Sequence, residues 1–149
     1  MAQTYLTGAC LCKNIAYRIT LPTPGTLPKV ILCHCTNCKR YTGSGFSANI
    51  VVPQSSFEYT KGSPKLYSDR GDRGGVVVVR EFCPDCGTPF TSRSGDDGEE
   101  VAVKSGTLDD EHRVKCAELG MEIYYHRKDG WVDGMGDESV KRVNGSMDG

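Results

Sequence analysis

Residues 32–43 read LCHCTNCKRYTG, which puts Cys33, Cys35 and Cys38 inside six positions of a chain with only eight cysteines. An odd number of thiols cannot all pair with one another. Two further clusters lie far away in sequence, Cys10-x-Cys12 and Cys83-Pro84-Asp85-Cys86-Gly87, and only Cys116 stands alone. A C-x-x-C knuckle closed by glycine lets two thiolates converge on one metal, because glycine permits the turn. It is half of a structural zinc site, which takes four ligands. If two central thiols completed it, Cys10, Cys12 and one leftover cysteine would be scattered. If Cys10 and Cys12 complete it, a four-thiolate set forms and the central cluster survives whole. The second division is preferred, with all-structural and redox-disulfide arrangements as the alternatives.

Cys33, Cys35 and Cys38 then offer three ligands and an open fourth position, the arrangement of a catalytic zinc site. In an extended segment Cys33 and Cys35 point to one face, and a tight turn returns Cys38 to join them. His34 faces the other way and reads as a strand residue satisfied by a neighbour rather than as a fourth ligand. Zinc held by three thiolates keeps a net negative charge, so it suits a soft sulfur ligand, whose ionisation it favours, better than it suits polarising a carbonyl. Lys39 and Arg40 follow at once and could offset that charge or receive a carboxylate, the alternative being a solvated turn. Cys116, in RVKCAELG, reads as a small buried hydrophobe.

The 149 residues fit one domain, taken as 1–149, with a core over about 5–132 and a polar tail, 133–149, expected to be mobile. With 18 Lys+Arg against 19 Asp+Glu, the net charge of −1 offers no footprint for a phosphate backbone, so nucleic acid is not an expected partner. The absence of a basic-then-apolar leader and of any run near 18 apolar residues points to a cytoplasmic protein without membrane attachment. In that compartment clustered thiols are metal ligands or catalysts more often than disulfides. Asn144-Gly145-Ser146 and Arg70-Gly71-Asp72 read as polar turns. Period-2 alternation marks strands at 15–21 and 46–52, with shorter runs at 29–32, 57–59, 76–82, 88–93, 100–104 and 121–125. The helical candidates are a short turn after Cys38 and residues 109–113. Short strands separated by Gly/Pro/Asp turns predict a mainly β, antiparallel domain.

The pattern C-x-C, then C-H-C-x-x-C-K-R, then F-C-P-D-C-G, with Ser105-Gly106-Thr107-Leu108-Asp109-Asp110 and the aromatic stretch up to Trp131, resembles the glutathione-dependent formaldehyde-activating enzymes. The same domain occurs in centromere protein V. The resemblance implies an Mss4-like antiparallel β-tent with short strands and zinc-bound knuckles. It implies two zinc ions per chain, one structural on Cys10, Cys12, Cys83 and Cys86, the other reaction-associated on Cys33, Cys35 and Cys38. It further implies a carbon–sulfur lyase of the S-(hydroxymethyl)glutathione synthase type, with glutathione as co-substrate and an aldehyde or other electrophile as its small-molecule partner. Arg40, Arg70 and Arg73 are then the expected anchors for glutathione carboxylates. Two other readings stay open. One is a zinc lyase or isomerase of this fold acting on another small electrophile of specialised metabolism. The other is a non-enzymatic, zinc-stabilised interaction module, which the lack of long basic extensions disfavours.

Overall fold

Strand β4, Ser47–Pro53, shows in seven residues how the domain divides its faces. Ile50 and Val52 point into an apolar core, while Ser47, Asn49 and Val51 alternate onto the opposite face. The computed structural model describes residues 2–71, 75–95 and 98–147. In chain order the other strands are β1 (Tyr5–Ala9), β2 (Ala16–Thr20), β3 (Val30–Cys33), β5 (Phe57–Lys61), β6 (Lys65–Asp69), β7 (Val78–Phe82), β8 (Pro89–Ser94), β9 (Glu100–Lys104), β10 (Leu119–Ile123) and β11 (Lys141–Arg142). Helix α1 (Thr36–Thr42) follows the central cysteines, and α2 (Asp110–Arg113) follows β9. The domain is therefore mainly β, in keeping with the expected Mss4-like class.

The strands form a three-stranded sheet, β1-β2-β5, and an eight-stranded sheet, β11-β10-β3-β4-β9-β8-β7-β6. Pairing is antiparallel except where β10 runs parallel to both β3 and β11. Leu6, Tyr17 and Ile19 of the small sheet share one core with Ile50, Val52, Val101, Val103 and Phe90 of the large sheet. Tyr17 stacks on Phe57 at 4.9 Å and meets Phe90 edge-on at 5.9 Å. Gly8 makes this packing possible, since a Cβ there would lie 2.4 Å from the Tyr17 ring.

Three strands do not stand out in the sequence. Strand β1 is short and interrupted by Gly8, β6 is an edge strand exposed along most of its length, and β11 has two residues. The polar segment after residue 132, expected to be mobile, carries β11, buries Val140 and pairs Arg142 with Glu122. The SGTLDD stretch ties β9 back to β1: Asp109 N–H donates to Thr7 O at 2.9 Å, and Tyr17 Oη and Thr107 Oγ1 lie 2.7 Å apart. Among the described residues, no helix is long and apolar enough to cross a membrane.

Candidate metal centres and the adjoining cleft

The first knuckle is the β1–β2 turn. Cys10 N–H donates to Ile15 O, Lys13 N–H returns to Cys10 O, and Lys13 takes φ 63° to close the loop. The second follows β7. Gly87, at φ 78°, donates to Cys83 O at 2.9 Å, and Leu11 N–H reaches Thr88 Oγ1 at 3.1 Å to join the two loops. All four sulfurs of Cys10, Cys12, Cys83 and Cys86 lie within 4.8 Å of one another. Cys10–Cys12 and Cys12–Cys83 are 3.6 and 3.8 Å apart. Four sulfurs about 2.3 Å from a tetrahedral zinc would be separated by roughly 3.8 Å, so the donor type and spacing fit such an ion. Charge is divided unevenly among them. Hydrogen bonds from Thr88 lower the Cys86 thiol to about 5, whereas at Cys12 a backbone hydrogen bond from Asn14 is outweighed by partial desolvation and the neighbouring sulfurs, which push the thiol up to about 12.

The second group sits where β3 runs into α1. Cys35 caps the helix, its sulfur accepting the Cys38 N–H at 3.3 Å, and Gly43 ends the helix at φ 66° with its N–H on Lys39 O. The helix is one of the two elements expected from sequence, and its cap brings Cys38 back toward Cys33 and Cys35. All three sulfurs are buried and lie within 4.8 Å of one another. Hydrogen bonds from Cys33 and Cys35 pull the Cys38 thiol far below its ordinary value, with the Lys104 charge adding to the effect. The same contacts, with burial, push Cys33 strongly upward. Three converging thiols form a donor set that suits a soft divalent metal.

His34 is fully buried on the other side of β3, with Nε2 2.9 Å from Glu122 Oε1, away from the sulfur cluster. Cys116 is buried in the core among Leu6, Ile15 and their neighbours, and burial raises its thiol. Lys39 donates to Arg127 O at 2.7 Å and to Asp129 Oδ1 at 2.9 Å, which ties α1 to the loop after β10. Arg40 and Arg70 are exposed, and neither belongs to the cleft lining described below. Arg73 lies outside the described residues.

The cations that face the three thiols come instead from distant strands. Arg80 is 2% exposed, with Nη1 4.0 Å from Cys38 Sγ and 3.0 Å from Ser92 Oγ. Its Nε donates to Asp69 Oδ2 at 2.9 Å, while the 2.8 Å approach of Nη2 to the same oxygen is a charge contact rather than an aligned hydrogen bond. Lys104 donates to Asn49 Oδ1 at 2.6 Å and to Ser92 Oγ at 3.2 Å, and burial pulls its ammonium down to about 8 although Cys38 opposes the shift. Tyr41 of α1 lies beneath both, its ring 4.9 Å from the Arg80 guanidinium and 5.5 Å from Lys104 Nζ. In the sequence these two residues show only as a basic side chain in a strand otherwise rich in valine.

Cys33 and Cys38 open onto a cleft of about 710 Å³ across the large sheet, on the face opposite the core. Asn49, Ser92 and Lys104 line it near the thiols, Ile31, Val51 and Val78 add apolar surface, and Arg93, Ser94, Glu99 and Glu100 line it farther along. Residues 5–127 match the family model described as "Glutathione-dependent formaldehyde-activating enzyme". A crystal structure of a Rhodobacter sphaeroides protein, from the Northeast Structural Genomics effort, is 21% identical with a TM-score of 0.57. The alignment covers 76% of this chain and 97% of that one, a likeness of fold. No curated protein matches the chain.

Proposed function

From the premise that the chain belongs to the glutathione-dependent formaldehyde-activating enzyme family, we propose that it is a zinc-dependent carbon–sulfur lyase working in the synthetic direction. Glutathione adds through sulfur to formaldehyde and gives S-(hydroxymethyl)glutathione. The S–H bond releases a proton, a C–S bond forms, and the carbonyl oxygen ends as a hydroxyl. The observation that carries this reading is the cluster of three buried thiols at the wall of a cleft, with two buried cations beside it. Cys10, Cys12, Cys83 and Cys86 hold a structural zinc, and Cys33, Cys35 and Cys38 hold a second. Bound to three thiolates, that second ion would supply an exchangeable position that favours an ionised substrate thiol.

The chain's own residues do the rest. Arg80 and Lys104 offset the negative charge of the cysteine cluster, so that a second anion can approach it. Lys104, braced by Asn49 and Ser92 on the cleft wall, presents positive charge where the aldehyde oxygen becomes negative. Arg93, among the residues that line the cleft, would meet a glutathione carboxylate. Arg40 and Arg70 would serve only a substrate that reaches out of the cleft. Mixing the zinc-loaded protein with glutathione and formaldehyde and following S-(hydroxymethyl)glutathione by mass spectrometry tests the reaction. The expected result is formation well above the protein-free rate, and a rate equal to that background would reject it. A cobalt-substituted protein should change its d–d and charge-transfer bands with saturating glutathione, and an indifferent spectrum would eliminate direct sulfur coordination.

A further inference from the structure

The segment beyond residue 127, where the family match ends, builds part of the cleft. Lys141 and Arg142 pair in parallel with Met121 and Glu122. Val143 N–H then donates to Glu122 O, Tyr125 N–H to Val143 O and Tyr124 N–H to Gly145 O, at 2.9–3.0 Å. This ladder delivers Ser146 and Met147 to the cleft wall that also contains Cys33. The anchor is electrostatic. Arg142 Nε donates to Oε2 of the fully buried Glu122 at 2.7 Å, and Arg142 Nη2 donates to Met135 O at 2.8 Å. Releasing the strap would leave the Glu122 carboxylate with His34 alone as side-chain partner among the described residues, so the strap is held down by the cost of a buried, under-paired charge.

The cleft is uneven in chemistry. Lys104, Asn49 and Ser92 make one side of it polar beside the thiols, whereas Ile123, packed against the cysteines, gives with Ile31, Val51 and Met147 an apolar side, and Ser94, Glu99 and Glu100 line the far end. A one-carbon group on the sulfur of glutathione, itself a polar tripeptide, offers no matching apolar surface to that side. We infer that residues 141–147 form a specificity wall, and that the cleft takes thiol adducts whose carbon side carries an apolar chain or ring of several carbons. This rests on the reading that the site of Cys33, Cys35 and Cys38 handles a thiol adduct. The strap does not touch the sulfur chemistry; it sets what may lie beside it.

Calorimetric titration of the zinc-loaded protein with n-alkanethiols from ethanethiol to pentanethiol reads the wall without any turnover. Full transfer of a methylene from water to an apolar site corresponds to about fourfold in affinity, so the parent should tighten two- to fourfold per added carbon. In Met147→Ser, and in a chain ended after Gly145 that keeps the Arg142–Glu122 anchor, the increment should fall to half or less while ethanethiol binding stays unchanged. Melting temperatures within a few degrees of the parent confirm that both variants fold. A flat parent series, no binding across the series, or an undiminished increment in the shortened chain overturns the inference. The formaldehyde reaction fails separately: a normal alkyl increment with no S-(hydroxymethyl)glutathione formed would reject that chemistry and leave the wall in place for a larger electrophile.

Discussion

The four-cysteine group joins the β1–β2 turn to the loop after β7, so its sulfurs bridge the small sheet to the large one, with Cys83 in the core and Cys12 exposed. The three-cysteine group comes from one stretch of chain, buries every sulfur, and opens onto a cleft. The first closes a long loop and has no position left over. The second closes almost no loop, but it draws Arg80 and Lys104 from strands far along the chain to balance its charge. On the proposed reading, the same thiol ligand serves a staple or a reactive centre, according to how many sulfurs converge and what faces them.

Cys83→Ser should break the comparison most severely. Structural zinc is worth on the order of 10 kcal/mol of folding free energy in small domains, and its loss should leave the domain largely unfolded at 37 °C by thermal denaturation. A melting curve matching the parent would show that the sheets do not depend on this group. Cys38→Ser should instead lower metal content from two zinc ions per chain to one and abolish turnover, with a melting temperature only a few degrees lower. A parent that binds one zinc and folds normally would refute the two-centre division. Lys104→Met should keep both ions yet lose about 10- to 100-fold in turnover, because it removes charge stabilisation from the cleft wall. With Lys104 pulled down to about 8, its cation is present below that pH and lost above it. The parent's rate should therefore fall as pH rises through about 8, and that limb should be missing in Lys104→Met. The smallest effect belongs to Cys116→Ala, which should cost about 1 kcal/mol of core packing in chemical denaturation and leave zinc content and turnover unchanged.

Much of this contrast was legible in the chain. The sulfurs gather in the two sets that the cysteine spacing implied, and His34 falls on the face that strand alternation assigned to it. The mainly β class followed from alternating runs such as 46–52. Less legible were β1 and β6, because a glycine required by the Tyr17 ring weakens one pattern and full edge exposure removes the apolar phase of the other. Lys39, adjacent to a site cysteine, is spent on Asp129 and Arg127, while Arg80, 42 residues from Cys38, lies against its sulfur.

By itself, then, the sequence determined what a few bonds can reach: the knuckles, the Cys35 cap that returns Cys38, and the face on which each strand residue lies. These depend on local backbone geometry, which spacing encodes directly. Only the tertiary structure decided which faces meet. The register of β3, β4, β7, β8 and β9 brings Cys33, Asn49, Arg80, Ser92 and Lys104 to one side of one sheet, and the parallel pairing of β10 with β11 brings Met147 to its rim. Register is chosen by burial of the opposite, apolar face against Tyr17 and Phe57, so the polar residues that make the cleft arrive together as its consequence.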